Sequence, residues 1–255
     1  MLEISDICKN AGVFIIDDLA YSGLEFDRKN LALPICSLDG HFDNTITLYT
    51  LSKSYGLAAF RSGMIIANEI VISLIRDRIF QVSDSLSILQ QAPISTIFKA
   101  DIESQNKIQK YFSFITNEYY ERYIFAKTIL LGLNTVDDNE KNIFTKLIQD
   151  KKLSIDEKDL SGIVDLEIVI RPSSGFFLLL DLTKFIDKSH KNFTISDDRS
   201  LLQFLYTFGN IKTLTGDAFC WPNHNELIVR VTFAFSYEDL LDGYLRLKKT
   251  LDLLK

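Results

Sequence analysis

A lysine and an arginine stand eight residues apart in a segment, 50–63, that is otherwise small and largely apolar. Lys53 offers an amine that can form a Schiff base with an aldehyde, because a lysine ammonium loses its proton readily when desolvated. Arg61 offers a guanidinium that can hold a phosphate through two hydrogen bonds. Upstream, an apolar run ends in Asp18, and Tyr21 follows three residues later. Amine, guanidinium, carboxylate and phenol are the groups needed to hold a phosphorylated pyridine aldehyde.

Each group has a defined task around such a cofactor. A buried carboxylate, Asp18, would keep the pyridine nitrogen protonated so that the ring acts as an electron sink. Tyr21 would donate to the phenolic oxygen of the ring, and Arg61 would bind the phosphate together with the hydroxyl of Thr50. Ser52 is a weaker candidate for the same role as Thr50. These residues predict pyridoxal 5'-phosphate (PLP) as the cofactor and predict no metal site.

Each residue also has an ordinary structural interpretation. A lysine in a loop is usually a solvated surface charge, and an arginine such as Arg61 can form a surface ion pair. An acid that ends a strand is usually a turn or capping residue, and Asp17 suits that role because neighbours on a strand point to opposite faces. The joint occurrence of these residues in this order favours the cofactor site.

The same residues resemble the cofactor-attachment signature of the class I/II aminotransferases, the fold-type I family of PLP-dependent enzymes. In that family a lysine follows a small hydroxyl residue and precedes a glycine-leucine pair and an Arg-x-Gly. The matching positions here are Ser52, Lys53, Gly56, Leu57, Arg61 and Gly63. Thr50 and Ser62 depart from the commonest form of the pattern.

The resemblance extends to the carboxyl-terminal half. Segment 172–181, PSSGFFLLLD, resembles a strand of the family's small domain, and 215–219, TGDAF, resembles a loop that normally begins with Pro-Gly. Segment 227–234, LIVRVTFA, resembles the strand whose arginine grips the α-carboxylate of the substrate, which makes Arg230 the substrate-binding candidate. The ordinary alternative for Arg230 is a cross-strand ion pair. Trp221 is expected to pack within its loop rather than stack on the cofactor.

The resemblance implies an α/β fold, namely a partial fold-type I PLP-dependent transferase with an α+β carboxyl-terminal domain. Residues 1–102 would form the later part of the PLP-binding large domain, a remnant of its mostly parallel sheet. Residues 103–133 would form a long interdomain helix, and 134–255 the small domain. The chain is expected to lack the amino-terminal part of the family, with its ring-stacking residue and phosphate-binding turn, so a missing amino-terminal polypeptide is one candidate partner. Such a chain would expose apolar surface.

The implied function is transfer of an amino group between an amino acid and a 2-oxo acid through a Schiff base on Lys53, in a homodimer. Decarboxylation or a carbon-carbon bond step on the same residues stays open. The alternative is a truncated, catalytically inactive family member that acts as an assembly or binding partner, or a fragment of a larger enzyme. Substrate identity does not follow from these residues.

Composition and net charge limit the kinds of partner and the cellular location that we expect. The 255 residues are 47% hydrophobic and 12% aromatic, which suffices for a buried core. A net charge of −6 and a pI near 5.2 make nucleic acid and anionic membranes unexpected partners. We expect no membrane span or signal peptide, a cytoplasmic location, and three reduced thiols at Cys8, Cys36 and Cys220.

Hydrophobic periodicity predicts the elements that position these residues. A buried strand is expected over 13–17, further strands over 45–51 and 61–67, and strands in the second half over 165–171, 175–181 and 227–233. The predicted helices cover 2–10, 68–80, 83–100, 103–133, 198–207 and 237–254. The polar stretches 137–161 and 184–196 are interpreted as surface helix or loop whose charges serve solvation.

Overall fold

The computed structural model describes residues 1–29, 31, 33–103 and 105–255. The chain divides into two compact units, Met1–Thr116 and Asn117–Lys255. The division falls inside a long helix, α5, which the structure places at Gln105–Leu131. Each unit has its own sheet and is described separately.

The described residues of the first unit form three strands and four further α-helices. A short turn of helix follows the second strand directly, and two longer helices follow the third. In chain order these elements are α1 (Leu2–Asn10), β1 (Ile15–Asp18), β2 (Thr45–Thr50), α2 (Leu51–Ser54), β3 (Gly63–Ile66), α3 (Glu69–Ser83) and α4 (Ile88–Glu103).

The strands of the first unit form one sheet in the order β1-β2-β3. β1 runs parallel to β2, with Asp18 opposite Leu48, and β3 runs antiparallel to β2, with Gly63 opposite Thr50. The carboxyl ends of β1 and β2 and the amino end of β3 therefore lie at the same edge of this sheet. We refer to this as the carboxyl edge.

The strand predicted over 13–17 forms as β1, but the expectation that this strand is buried is wrong. Ile16 is 67% exposed and Phe14 is 52% exposed, whereas Asp17 is buried. β1 is an outer strand of the sheet, so its side chains alternate between a covered face and one that the described residues of this unit leave open. Phe14 and Ile16 are thus two of the exposed apolar side chains of this unit.

The second unit combines helices with a larger sheet and a small hairpin. Its strands are short apart from two central ones of five residues. After α5, the elements are α6 (Asp138–Lys151), β4 (Glu167–Ile168), β5 (Phe177–Asp181), β6 (Ser189–His190), β7 (Phe193–Thr194), α7 (Asp198–Gly209), β8 (Leu214–Thr215), β9 (Ile228–Thr232) and α8 (Tyr237–Leu251).

The main sheet of the second unit is antiparallel, in the order β4-β5-β9-β8. Its two central strands carry buried apolar side chains such as Leu178, Leu180 and Val229 on one face. Fully buried aromatic rings complete the core of this unit: Tyr123, Phe125, Phe144, Phe204 and Phe233. An α/β first unit and an α+β second unit match the predicted fold class.

The interpretation of 137–161 as surface helix or loop is correct in that α6 is a helix with few buried residues, but its charges do not all serve solvation. α6 buries Phe144 and Leu147, and Glu140 is only 1% exposed. The Glu140 carboxylate accepts two hydrogen bonds from Lys127 Nζ, at 2.6 and 2.9 Å. It also completes a capping box with Asp137 at the start of α6. Its charge therefore serves an internal ion pair and a helix cap. The 184–196 stretch likewise contains the β6-β7 hairpin and buries Phe185 and Ile195.

Two further expectations can be compared with the described residues. Cys8, Cys36 and Cys220 are all free thiols. Among the helices that the structure describes, none combines the length and the apolar character that crossing a bilayer requires.

Candidate functional site

The sheet of the first unit brings most of the predicted cofactor residues to its carboxyl edge. Asp18 is the last residue of β1, and Thr50 is the last residue of β2. Lys53 lies in α2, which follows β2 without a linker, and Arg61 lies two residues before β3. The strand registers therefore place residues that are up to 43 positions apart in sequence at one end of one sheet.

Lys53 is held on a single helical turn. Leu51 and Ser54 of α2 are buried, whereas Ser52 and Lys53 are half-buried. Residues three apart share a helix face, so Leu51 and Ser54 form the inner face of α2 and Lys53 projects from another side. The backbone carbonyl of Lys53 accepts from the amide of Gly56, where φ is +66°. A glycine suits that left-handed position because it has no Cβ.

The two acids at the end of β1 have different surroundings. Asp17 is buried, and its Oδ2 accepts a hydrogen bond of 2.8 Å from the amide of Ile35. Asp17 therefore caps a turn, as predicted. Asp18 is exposed rather than buried, and its Oδ1 accepts from the amide of Ala20 at 3.0 Å. The alternation of side chains along a strand accounts for the difference.

Thr50 acts as the N-cap of α2. Its hydroxyl oxygen accepts from the amide of Ser52 at 3.1 Å. Its hydroxyl hydrogen has two acceptors within reach, the carbonyl of Ser62 at 3.1 Å and the hydroxyl of Ser52 at 3.0 Å. Both predicted hydroxyl ligands are thus linked to each other at the start of the helix that carries the lysine.

Arg61 lies at the end of a short 3-10 turn, Ala58–Phe60, with a left-handed backbone at φ 51°. This conformation is uncommon for a residue with a side chain, and such positions are enriched at functional sites. Its exposed guanidinium donates one hydrogen bond to the carbonyl of Ala58 at 3.2 Å. It also lines a cavity of about 910 Å³ together with Arg76 and apolar residues such as Ile72. Neither Asp18 nor Lys53 lines this cavity.

The turn that carries Tyr21 is connected to α2. Tyr21 is half-buried, and its carbonyl accepts from the amide of the fully buried Leu24 at 3.1 Å. Ser54 Oγ, which is buried, donates to the carbonyl of Ser22 at 2.6 Å. The sequence prediction missed this link, because no pattern joins residues 32 positions apart.

Arg230 lies in the middle of β9 in the second unit. Its cross-strand neighbours are Leu179 and Leu214, so an ion pair directly across the sheet is excluded. The guanidinium lies over the ring of Phe177, with its carbon 4.5 Å from the ring centre. It also lines a cavity of about 570 Å³, together with apolar residues and residues of both charges that include Lys212, Asp239 and Asp242. Trp221, by contrast, donates from Nε1 to Glu226 at 2.7 Å within its own loop.

The chemistry of the donor set at the carboxyl edge fits PLP. Lys53 supplies the amine, Asp18 an acceptor for a ring N–H, and Arg61 a guanidinium with several N–H donors. One of those donors is used in the bond to Ala58. Among the residues that the structure describes, no group of three or more His, Cys, Asp or Glu side chains could hold a metal ion.

Comparisons with known proteins indicate the family of the chain. The family model for aminotransferase class I and II matches residues 1–161. Aromatic-amino-acid aminotransferase 2 of Thermococcus litoralis is 26% identical over 178 residues, which cover 68% of this chain and 44% of that protein. A probable aspartate/prephenate aminotransferase of Aquifex aeolicus is 22% identical over 250 residues, 98% of this chain and 52% of that protein.

A solved structure confirms the fold. The α-aminoadipate aminotransferase LysN of Thermus thermophilus, complexed with N-(5'-phosphopyridoxyl)-L-leucine, superposes with a TM-score of 0.68 at 15% identity. The superposition covers 98% of this chain and 53% of that one. The chain thus has a partial fold-type I architecture and spans about half the length of the curated relatives it matches. With the family model matching well over half of its residues, the chain belongs to the class I and II aminotransferase family.

Proposed function

We propose that this chain binds PLP through a Schiff base between the cofactor aldehyde and Lys53, and that it serves transfer of an amino group. The observation that carries the proposal is the common sheet edge that Asp18, Thr50, Lys53 and Arg61 occupy. Family membership supports it, because class I and II aminotransferases depend on PLP. When bound, the cofactor supplies the electron sink that makes the α-proton of an amino acid acidic.

Binding of the cofactor and transfer of the proton would be carried out by residues of this chain. Lys53 would hold the cofactor and, once displaced by the amino group of the substrate, carry the proton to and from the substrate's α-carbon. Asp18 would accept a hydrogen bond from the protonated ring nitrogen, and Tyr21 would donate to the phenolic oxygen. Arg61 would bind the phosphate. The Thr50 hydroxyl would also bind the phosphate if it donated its hydrogen to a phosphate oxygen instead of to the carbonyl of Ser62. Ser52 would supply a second hydroxyl for the phosphate.

The substrate would be an amino acid or a 2-oxo acid, and Arg230 would bind its carboxylate. A planar guanidinium pairs with a carboxylate through two parallel hydrogen bonds. The apolar neighbours of Arg230 on both adjacent strands support this role, because they leave the charge without a partner directly across the sheet.

Trapping of the cofactor on the lysine tests the proposal. Purified chain is mixed with PLP, the visible absorbance is recorded, borohydride is added, and the labelled peptide is identified by mass spectrometry. We expect a visible band and a label on Lys53, both abolished in Lys53→Ala. Lys9→Ala is the matched control, because Lys9 lies in the same unit and its Nζ makes an exposed hydrogen bond to the carbonyl of Gly40. A wild-type chain that takes up label elsewhere but not on Lys53 contradicts the proposal.

An inactive assembly partner is the alternative function. Its support is the apolar surface of the helices that follow β3, which carry several exposed side chains: Ile70 at 75%, Leu74 at 69%, Phe80 at 69%, Ile88 at 84% and Leu89 at 80%. Such a surface marks a contact with another protein. A chain that forms stable dimers and gives neither band nor label would favour this alternative.

Three broader proposals accompany the function. We propose a homodimer, for which the apolar surface of α3 and α4 is a suitable contact, and a cytoplasmic location. We also propose that residues 1–102 belong to the PLP-binding domain, 103–133 to an interdomain helix and 134–255 to the small domain. Light scattering of the purified chain at several concentrations tests the dimer, and a mass of one chain throughout would contradict it.

A further inference from the structure

The orientation of Lys53 cannot come from α2 itself. The helix has four residues, and a helix of one turn has no stability of its own in water. Its geometry must therefore be set by what its buried face contacts. That face consists of Leu51, at 1% exposure, and Ser54, at 0%.

Ser54 makes two hydrogen bonds to different parts of the first unit. Its hydroxyl donates to the carbonyl of Ser22 at 2.6 Å. Its own carbonyl accepts from the phenol of Tyr111, in α5, at 3.0 Å. The residue next to the lysine is thus linked on one side to the turn that carries Tyr21 and on the other to a long helix.

Ring packing holds the same three segments together. The rings of Tyr55 and Tyr111 are parallel within 4°, with centres 5.7 Å apart. Phe112 packs edge-on against Tyr55 at 5.2 Å. Phe112 also approaches Gly23 so closely that a methyl group on Gly23 would lie 2.7 Å from the ring. The glycine, with φ +88°, is therefore required both for the turn and for this approach.

We propose that Ser54 is a positioning residue that fixes Lys53 relative to Tyr21, with Tyr111 as its support. The inference rests on the proposed function of Lys53 and adds to it the means by which the amine is aimed. Ser54 contacts neither substrate nor cofactor in this scheme. It acts by joining the segment of the amine to the segment of the phenol, each one residue away from the bond.

The test compares the rate of Lys53 labelling by PLP and borohydride among folded variants, at a temperature below the unfolding of each. We expect Ser54→Ala to slow labelling about 10-fold, within the about 100-fold loss that a displacement of about 1 Å can cause. Tyr111→Phe keeps the ring stack and removes only the bond to the Ser54 carbonyl, so it should slow labelling less. Ser54→Thr keeps the hydroxyl and should restore most of the rate.

Thr45→Val is the matched control. Thr45 is equally buried, and its hydroxyl also donates to a backbone carbonyl, that of His41 at 2.7 Å, but at the opposite end of β2 from Lys53. It should lower stability and leave the labelling rate of the folded chain unchanged.

The possible outcomes distinguish failure of this inference from failure of the proposed function. If the wild type, Ser54→Ala and Tyr111→Phe are all labelled on Lys53 at the same rate, the inference is wrong and the proposed function stands. Equal slowing in Thr45→Val also overturns it, because the effect would then follow from stability alone. Wild-type chain that does not label on Lys53 overturns the proposed function, and the inference with it. If Ser54→Ala does not fold, Tyr111→Phe alone decides, and an unchanged rate in that variant counts against the inference.

Discussion

The carboxylate of Asp17 and the amide of Ile35 form a buried hydrogen bond of 2.8 Å, whereas the adjacent Asp18 is exposed. Removal of the Asp17 carboxylate should therefore leave a buried N–H without an acceptor. We expect Asp17→Ala to lower the free energy of unfolding by about 1–3 kcal/mol, measured by urea titration. A loss well below that range would show that Ile35 finds another acceptor.

Replacement of Asp18 should affect cofactor binding and leave the stability of the fold nearly unchanged. Asp18→Asn keeps an oxygen that can accept from the amide of Ala20, so we expect urea stability close to that of the wild type. Loss of the carboxylate removes the partner of the protonated ring nitrogen, which should weaken the visible band with PLP. Asp17→Asn is the control for a carboxylate change that does not face the cofactor. An unchanged band in Asp18→Asn would remove Asp18 from the proposed site.

The contrast between these two acids shows what the sequence could and could not predict. Alternation along a strand assigned them to opposite faces, and the structure agrees. Periodicity could not reveal that β1 has an open face, because exposure depends on which other segments cover the sheet. The expectation of a buried Asp18 was wrong for the same reason.

Helix and strand positions were predicted well where local pattern decides them. The helix predicted over 2–10 is α1, and Asn68, the first residue of the predicted 68–80 helix, is the N-cap of α3. The strand predicted over 165–171 shortens to the two residues of β4, and Asp165 at its start has φ 65°, outside the extended region. The ion pair of Glu140 was missed although the Asp-x-x-Glu pattern of its capping box is visible in the sequence. Its partner Lys127, 13 positions earlier, was not predictable.

That ion pair should contribute to the stability of the second unit. In Lys127→Met the nearly inaccessible Glu140 carboxylate loses the nearer of its two cations among the described residues and keeps Arg171, 3.8 Å away. We expect the free energy of unfolding to fall toward the lower end of the about 3–5 kcal/mol typical for breaking a buried pair. Lys141→Met removes a more exposed cation of α6 that faces Asp138 at 3.5 Å, and should cost at most about 0.5 kcal/mol. Equal losses in the two variants would contradict a special role for the buried pair.

Burial of tyrosines should make the chain sensitive to alkali. Burial raises the pKa of Tyr123 from 10.0 to about 12, and it also raises the pKa values of Tyr237 and Tyr244. Between pH 10 and about 12 the unfolded chain releases these protons and the folded chain keeps them. The resulting stabilisation is complete below pH 10 and is lost as the pH rises through that range.

Removal of one buried phenol tests this expectation. The unfolding midpoint of Tyr123→Phe in urea should fall less steeply with pH over the same interval than that of the wild type. Tyr206→Phe controls for the loss of a phenol, because Tyr206 is 55% exposed on α7. Parallel pH profiles for wild type and Tyr123→Phe would show that Tyr123 ionises equally in both states.

The role of Arg61 can be isolated by comparing two aldehydes that differ only in the phosphate. If Arg61 binds the phosphate, wild-type chain should be labelled on Lys53 by PLP at a much lower concentration than by pyridoxal, which lacks it. Arg61→Gln should raise the PLP concentration for half-labelling by about 10-fold or more and leave that for pyridoxal unchanged, so the preference between the two shrinks. Arg76→Gln is the matched control, since Arg76 lines the same cavity and its Nε lies 3.6 Å from the Asp77 carboxylate. If both arginine variants kept the wild-type preference, the phosphate would have to bind elsewhere. If Arg61→Gln bound both aldehydes more weakly, the guanidinium would stabilise the structure of the carboxyl edge rather than bind the phosphate.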